Sequence, residues 1–297
     1  MNRMPDYERG RFFISPILGC NAQCSFCYIY DKGYKSKISK NDFSIDDTLV
    51  YLKEHSDFRE GKGGSIISIG AWGDPFPRYN VKACYFSLHW LTKLAELGNP
   101  IQIMSRYELH QDIIDGIVLN NLYEGQILYS TSLSSINNFR YIEPYSDSPE
   151  SRLQSLSALK KRGIATNVMI KPFISGVTDI EIDAFVDIFK QYDIKNCVVG
   201  DLLLDDTIKN KLNALERKDL LVTTDDIGQV LDCTSGESYE VSTTDSMLSF
   251  ASILGGFDIK VFRKSSCVNS FILNTINPAG YMQSDPNGYC IQCGVCN

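Results

Sequence analysis

The chain has 297 residues, 43% of them hydrophobic, and 29 Lys+Arg against 36 Asp+Glu give a net charge of −7. That is enough apolar material for one large domain with an appendage, and it excludes a disordered tail, a mini-protein and a broad cationic face for phosphate neutralisation. The ten cysteines are too few for a disulfide scaffold of this size. Six of them gather near the two ends (Cys20, Cys24, Cys27; Cys290, Cys293, Cys296), which suits metal in a reducing, cytoplasmic compartment.

No apolar run reaches the ~18 residues a bilayer-spanning helix needs. Ile17-Leu18-Gly19-Cys20 resembles a lipoprotein cleavage box, but Pro16 breaks the short apolar run and two more cysteines follow closely. Cys20 is therefore expected to remain in the mature chain.

In chain order, Arg11 to Leu18 reads as a buried strand, and Ser44 caps a helix carrying Ile45, Leu49 and Leu52 on one face. Ser65 to Gly70 is a second strand, followed by a helix from Val81 to Leu97 that Gly98-Asn99-Pro100 stops. Pro100 to Ser105 and Gln126 to Ser132 are strands three and four, with a helix over Leu109 to Leu119 between them. Ser148 caps the next helix, with Pro149 in its first turn, Leu153, Leu156 and Leu159 inward and Gly163 as its stop. Thr166 to Ile170 is strand five. Thr178-x-x-Glu181 is a capping box for a helix with Ile182, Phe185, Val186 and Phe189 on one face, and Cys197 to Leu204 is strand six. The pattern loosens from Asp205 to Gly256, with a charged helix near Lys209 to Arg217; Asp258 to Arg263 is one further strand, and Cys267 to Asn297 is a tail without helical period.

This alternation predicts an α/β chain whose parallel sheet forms an open or closed barrel, a partial (β/α)6 TIM-type barrel with a small C-terminal extension. The division expected is 1–205 barrel, 206–263 variable cap and last barrel elements, and 264–297 cysteine-rich tail.

Cys20-Asn-Ala-Gln-Cys24-Ser-Phe-Cys27 is a C-x3-C-x2-C loop directly after the first strand. Loops after parallel strands collect at one face of a barrel, so three thiolates there can hold three irons of a cubane and leave the fourth open. Zinc and buried free thiols are the alternatives; zinc wants a fourth ligand, and the nearest downstream histidine is His55.

The loop resembles the radical S-adenosylmethionine (SAM) superfamily, whose C-x3-C-x-aromatic-C signature Cys20, Cys24, Phe26 and Cys27 match. Further motifs in order resemble its spore-photoproduct-lyase-like branch: Ile69 to Phe76, Met104-Ser105-Arg106 with Asp112-Ile113-Ile114, Ser130-Thr131-Ser132, Ile142-Glu143-Pro144 with Ser151-Arg152-Leu153, and Lys171 to Asp179. The resemblance implies a [4Fe–4S] cluster whose open iron takes the amino and carboxylate groups of SAM. Reduction then breaks the sulfur–C5′ bond and yields a hydrogen-abstracting 5′-deoxyadenosyl radical. A flavodoxin- or ferredoxin-type reductant is implied as partner.

Carried over residue by residue, the resemblance places Gly70 to Asp74, including Trp72, at the SAM ammonium, with Asp74 as its carboxylate. Ser130 and Ser132 meet the ribose, Phe26 approaches the adenine with Tyr28 beside the cluster, Glu143 meets the SAM amine or ribose, and Arg152 meets the SAM carboxylate. Each has a structural alternative: a Gly-Asp-Pro turn for Asp74, strand-end hydrogen bonding for the serines, core packing for Phe26, and a mutual surface ion pair for Glu143 and Arg152.

Cys267, Cys290, Cys293 and Cys296 supply four thiolates, enough for a second cubane or a structural zinc. Ile276 to Met282 before them reads as strand, turn, strand. This tail is similar to the SPASM or twitch auxiliary-cluster tails of other radical SAM enzymes; Cys267 and Gly280 fit that pattern, while Asp285 stands where its second cysteine belongs. The expectation is a radical SAM enzyme acting on a small molecule or natural-product intermediate, with the second cluster moving electrons or donating sulfur. The rival is a nucleic-acid repair lyase, against which the net charge and the cysteine tail count; nucleic acid and membrane are not expected partners.

Overall fold

The computed structural model describes residues 2–30, 32–34, 36–214, 239–241 and 245–279. Its centre is one sheet built from β1 (Asp6–Glu8), β2 (Arg11–Ile14), β5 (Ile66–Ile69), β6 (Ile101–Ser105), β7 (Ile127–Ser132), β8 (Ala165–Ile170), β9 (Asn196–Val199) and β12 (Lys260–Phe262), hydrogen-bonded in that order. From β2 to β12 every pairing is parallel, and β1 is added antiparallel at the edge. The end strands do not pair with each other, so the sheet is an open, partial barrel, as the alternation of apolar strands and amphipathic helices predicts.

Period-2 alternation decides what each face does. Ile67 and Ile69, Ile101 and Ile103, Ile127 and Tyr129, Val168 and Ile170, and Cys197 and Val199 are buried in one core under the helices. Those helices are α1 (Ile45–Glu54), α2 (Val81–Ala95), α3 (Gln111–Leu119), the four-residue α4 (Phe139–Ile142), α5 (Pro149–Lys161) and α6 (Ile182–Gln191). The expected caps form: Ser44 accepts from the Asp47 N–H at 3.1 Å and Ser148 from the Ser151 N–H at 3.2 Å, each side chain satisfying an orphan first-turn donor. The alternate residues Ser68, Gln102, Ser130 and Asn167 face the barrel interior and are also buried.

Several sequence expectations change. Arg11 to Leu18 is not one strand: Pro16 separates β2 from β3 (Ile17–Leu18), which leaves the main sheet to pair with β4 (Ser39–Lys40). Cys197 to Leu204 likewise breaks at Gly200, and β10 (Leu202–Leu204) pairs instead with β11 (Tyr239–Val241). The charged helix is α7 (Asp206–Asn213), capped by Asp205.

The Thr178 and Glu181 side chains do not cap a helix. Thr178 Oγ1 donates to the Ser134 carbonyl at 2.7 Å, and Glu181 turns away to accept from the backbone N–H groups of Ile136, Asn137 and Asn138 and the hydroxyl of Ser135. A buried carboxylate bound by that many donors fixes the loop after β7.

The loosened region contains α8 (Asp245–Gly255), which buries Met247, Phe250, Ala251 and Leu254 at i, i+3, i+4 and i+7 and forms the crossover into β12. The start of the tail is helical too. α9 (Ser265–Leu273) fills the concave face, where Cys267 and Val268 pack with Leu128, Met169, Val198 and Phe262. Of the expected strand–turn–strand, residues 276–277 are not strand and Pro278–Ala279 form the turn, while 280–282 lie outside the described residues together with Cys290, Cys293 and Cys296.

Candidate functional site

The cysteine loop sits at the carboxyl ends of the strands, where a parallel sheet leaves backbone groups and side chains exposed to a ligand. Its position is set by a neighbouring loop that only glycine permits: a Cβ on Gly73 would stand 2.5 Å from the Ile17 carbonyl oxygen and 2.6 Å from that of Gly19. Gly70 has φ +109°, a conformation that suits glycine. The Gly19 N–H donates to the Trp72 carbonyl at 2.8 Å, and the Tyr28 hydroxyl to the Ala71 carbonyl at 3.0 Å. Tyr30 closes the loop on itself by donating to the Cys20 carbonyl at 2.7 Å. On the other side, Ser25 N–H and Oγ both donate to the Ile142 carbonyl, at 2.9 and 3.0 Å.

Cys20, Cys24 and Cys27 lie close enough to feel one another's charge. Burial, with the Asp74 charge, pushes the Cys20 thiol up to about 12; burial lifts Cys24 well above the ordinary thiol range, against the pull of Arg106. Among the described residues, no three His, Cys, Asp or Glu side chains close around one metal-ion position. A cubane asks for another arrangement, since each thiolate binds a different iron and the three sulfurs stand farther apart than ligands of one ion. Three soft donors on one tethered loop, with no histidine or carboxylate among them, fit an iron–sulfur cluster.

Asp74 is buried, and both its oxygens are engaged by protein: Oδ1 accepts from Phe76 N–H at 2.9 Å and Ser105 Oγ at 2.8 Å, Oδ2 from Arg106 N–H at 2.8 Å. Burial raises its pKa, and these three donors oppose the rise. The carboxylate thus ties the loop after β5 to the end of β6.

Glu143 and Arg152 form the ion pair that the sequence allowed, at 2.5 Å, yet both are wholly buried rather than on the surface. A third residue joins them: Arg106 meets the other Glu143 oxygen at 2.5 Å. Burial pulls the Glu143 carboxyl up, but Arg152 and Arg106 outweigh it and hold it below the usual range. Arg152 also donates from Nε to the Asp147 carbonyl at 2.8 Å, from Nη1 to the Ser132 carbonyl at 2.5 Å, and to Ser146 Oγ, so its guanidinium is directed into the protein.

Arg106 is the more open cation. Its guanidinium lies 4.9 Å from the Phe26 ring centroid, donates to the Lys171 carbonyl at 3.1 Å, and interacts electrostatically with all three thiols. It is absent from the site residues that sequence reasoning assembled, although Met104-Ser105-Arg106 ends a parallel strand, where functional side chains gather. Tyr107 was missed as well; its hydroxyl donates to Asn21 Oδ1 at 2.6 Å between Cys20 and Cys24. Of the remaining expected residues, Ser130 accepts from Asn167 Nδ2 at 3.3 Å and Ser132 donates to the Lys171 carbonyl at 2.9 Å. Trp72 donates from Nε1 to Asp6 at 2.5 Å and stands edge-on to Tyr28 at 5.7 Å.

No family model matches the chain, and no curated protein matches its sequence. Solved structures do match its fold. A point mutant of spore photoproduct lyase is 14% identical with a TM-score of 0.61, covering 85% of this chain and 75% of that one. Spore photoproduct lyase complexed with dinucleoside spore photoproduct is 16% identical with a TM-score of 0.57, over 83% of this chain and 72% of that one. In fold, this chain is an α/β partial barrel like that of spore photoproduct lyase.

Proposed function

We propose that this protein is a radical SAM enzyme whose cluster is held by Cys20, Cys24 and Cys27. The observation that carries the reading is the three-thiol loop, tethered at the carboxyl ends of the parallel strands and backed by Arg106 and Phe26. When bound, the cluster and SAM supply reductive cleavage of a sulfur–carbon bond and a hydrogen-abstracting radical. The chain's own part is to hold and orient. Arg106, rather than the inward-facing Arg152, is the guanidinium placed to receive the SAM carboxylate, because it shares the thiols' surroundings and is steadied by Glu143. Asp74 and Glu143 then act as positioning residues, the first through the Arg106 N–H and the second through its guanidinium. Phe26 and Tyr28 shield the cluster from water.

Of the two substrate classes, the likeness in fold to spore photoproduct lyase favours a lyase acting on a nucleic-acid lesion over oxidation of a small metabolite. The small-molecule reading leans on a second cluster. Cys290, Cys293 and Cys296 of that set lie outside the described residues, and Cys267 is packed against an apolar cluster in α9.

The test is anaerobic reconstitution and assay for 5′-deoxyadenosine from SAM under reduction. The wild-type chain should produce it, and Cys20→Ala, Cys24→Ala and Cys27→Ala should each produce none. Full cleavage by Cys24→Ala would overturn the assignment. Damaged dinucleotide repaired in the same mixture would support the lyase reading.

A further inference from the structure

The interior end of α9 has the marks of an anion site. A helix N-terminus concentrates unsatisfied N–H donors and positive partial charge, which a side-chain acceptor or an acidic first turn ordinarily offsets. Among the described residues α9 has neither: its N-cap residue is Lys264, whose side chain makes no capping hydrogen bond, and its first turn holds no acidic residue.

Cations converge on that end from three strands. Arg263, Lys264 and Lys171 meet Asp201, itself 1% exposed, at 3.1, 2.8 and 3.8 Å. Arg263 and Lys264 run directly into Ser265, the first residue of α9, and Lys171 follows the end of β8. From the opposite side Arg11, at the start of β2, donates from Nη2 to Ser265 Oγ at 3.2 Å with its guanidinium 4.6 Å from the Phe13 ring centroid. Arg11 is nine-tenths buried, and its Nε finds no hydrogen-bond partner among the described residues. Leaving a charged donor buried and unsatisfied is costly, and an oxyanion would satisfy it beside the positive end of the helix. The spot adjoins the SAM-side residues, because the Lys171 carbonyl accepts from both Arg106 and Ser132.

We propose that the α9 N-terminus with Arg11, Lys171, Arg263 and Lys264 is an oxyanion subsite inside the barrel, seating a phosphate or carboxylate group of the substrate. Guanidinium forks and helix-end N–H groups suit the planar or tetrahedral oxygens of either group. Assigning the anion to the substrate rests on the function proposed above; the binding of an anion does not.

The test is titration of the full, anaerobically purified chain with inorganic phosphate, and separately with acetate, at constant ionic strength set by sodium chloride. One of the two should bind saturably, and binding should weaken about tenfold or more in Lys264→Gln and in Arg263→Gln, the scale of a lost charged hydrogen bond. Lys93→Gln, on the far surface of α2, should leave it unchanged. Phosphate as the better ligand indicates a nucleotide-type substrate; acetate indicates a carboxylic acid. Arg11→Gln is informative if it folds, and the two other variants suffice if it does not. Binding of neither anion above the chloride background, or binding indifferent to both rim variants, overturns the subsite. SAM cleavage measured on the same preparations separates the two ideas: cleavage without anion binding defeats the subsite alone, and anion binding without cleavage defeats the radical SAM reading alone.

Discussion

Cys24 and Cys267 are both buried cysteines, one in the loop after β3 and one in the helix after β12, and their surroundings differ in kind. Cys24 shares a tethered loop with two other thiols and faces Arg106. Cys267 lies in α9 against Leu128, Met169, Val198 and Phe262, and its sulfur accepts from Asn277 Nδ2 at 3.3 Å. Burial alone therefore says nothing about chemistry. What separates the loop from α9 is how each is held: backbone hydrogen bonds and a buried ion triad fix the loop, whereas apolar packing and a partly satisfied polar layer hold α9.

The triad is where the rim should be easiest to break. Glu143→Gln leaves Arg106 and Arg152 without their shared counter-charge, and removing one member of such a buried set costs about 3–5 kcal/mol. Chemical denaturation at neutral pH should show a loss of that size, and wild-type stability in the variant would mean that the triad does not fix the rim. The pH dependence has a definite sign. Because the folded state holds the Glu143 carboxyl below its ordinary 4.5, its contribution is complete above that value and disappears as pH falls through the lower folded value. The acid limb of the stability curve should accordingly flatten in Glu143→Gln.

Glu181 does for the loop after β7 what Glu143 does for Arg106. Its replacement by Gln weakens a set of charge-assisted hydrogen bonds to residues 135–138, and a loss of about 1.5–3 kcal/mol is expected in the same experiment. Arg106→Lys probes the site more gently. It keeps the charge but not the planar fork, so SAM affinity should fall about tenfold while the iron content stays that of the wild type. Unchanged SAM binding would return Arg106 to a purely internal role.

How much of this was legible in the sequence depends on the range of the interaction concerned. Local signals were reliable: the caps at Ser44 and Ser148, the stop at Gly163 and the period-2 strands all depend on neighbours within a few residues. The C-x3-C-x2-C loop was legible for the same reason. Glu181 was misread because its partners lie about 45 residues earlier, in a loop that only the folded sheet brings beside it. Arg152 was read as meeting the SAM carboxylate or pairing with Glu143 at the surface, for want of any sign that Glu143, Ser146 and the Ser132 carbonyl would enclose it. Arg11, the first residue of a strand, carried no signal at all, since its meaning comes from Ser265, which lies 254 positions away. α8 was missed although it has a buried stripe, because polar neighbours masked the period, and α9, buried over the consecutive residues Ser266 to Ser270, shows no one-sided period to read.

The smallest expected effect sharpens the comparison most. If Cys267 is a packing residue, Cys267→Ala removes one sulfur from an apolar cluster and one weak acceptor from Asn277, which costs on the order of 1 kcal/mol. Iron per chain and SAM cleavage should then both match the wild type. If instead it is a ligand of a second cubane, the same variant should lose up to ~4 irons per chain, as should Cys290→Ala/Cys293→Ala, while SAM cleavage by the first cluster persists. The placement of Cys267 in α9, with its sulfur already bonded to Asn277, favours the first outcome. Iron analysis of both variants beside the wild type decides it: loss in the tail variant alone points to a cluster or metal built without Cys267, equal loss in both overturns the packing assignment, and loss in neither leaves the rim thiols as the site of iron.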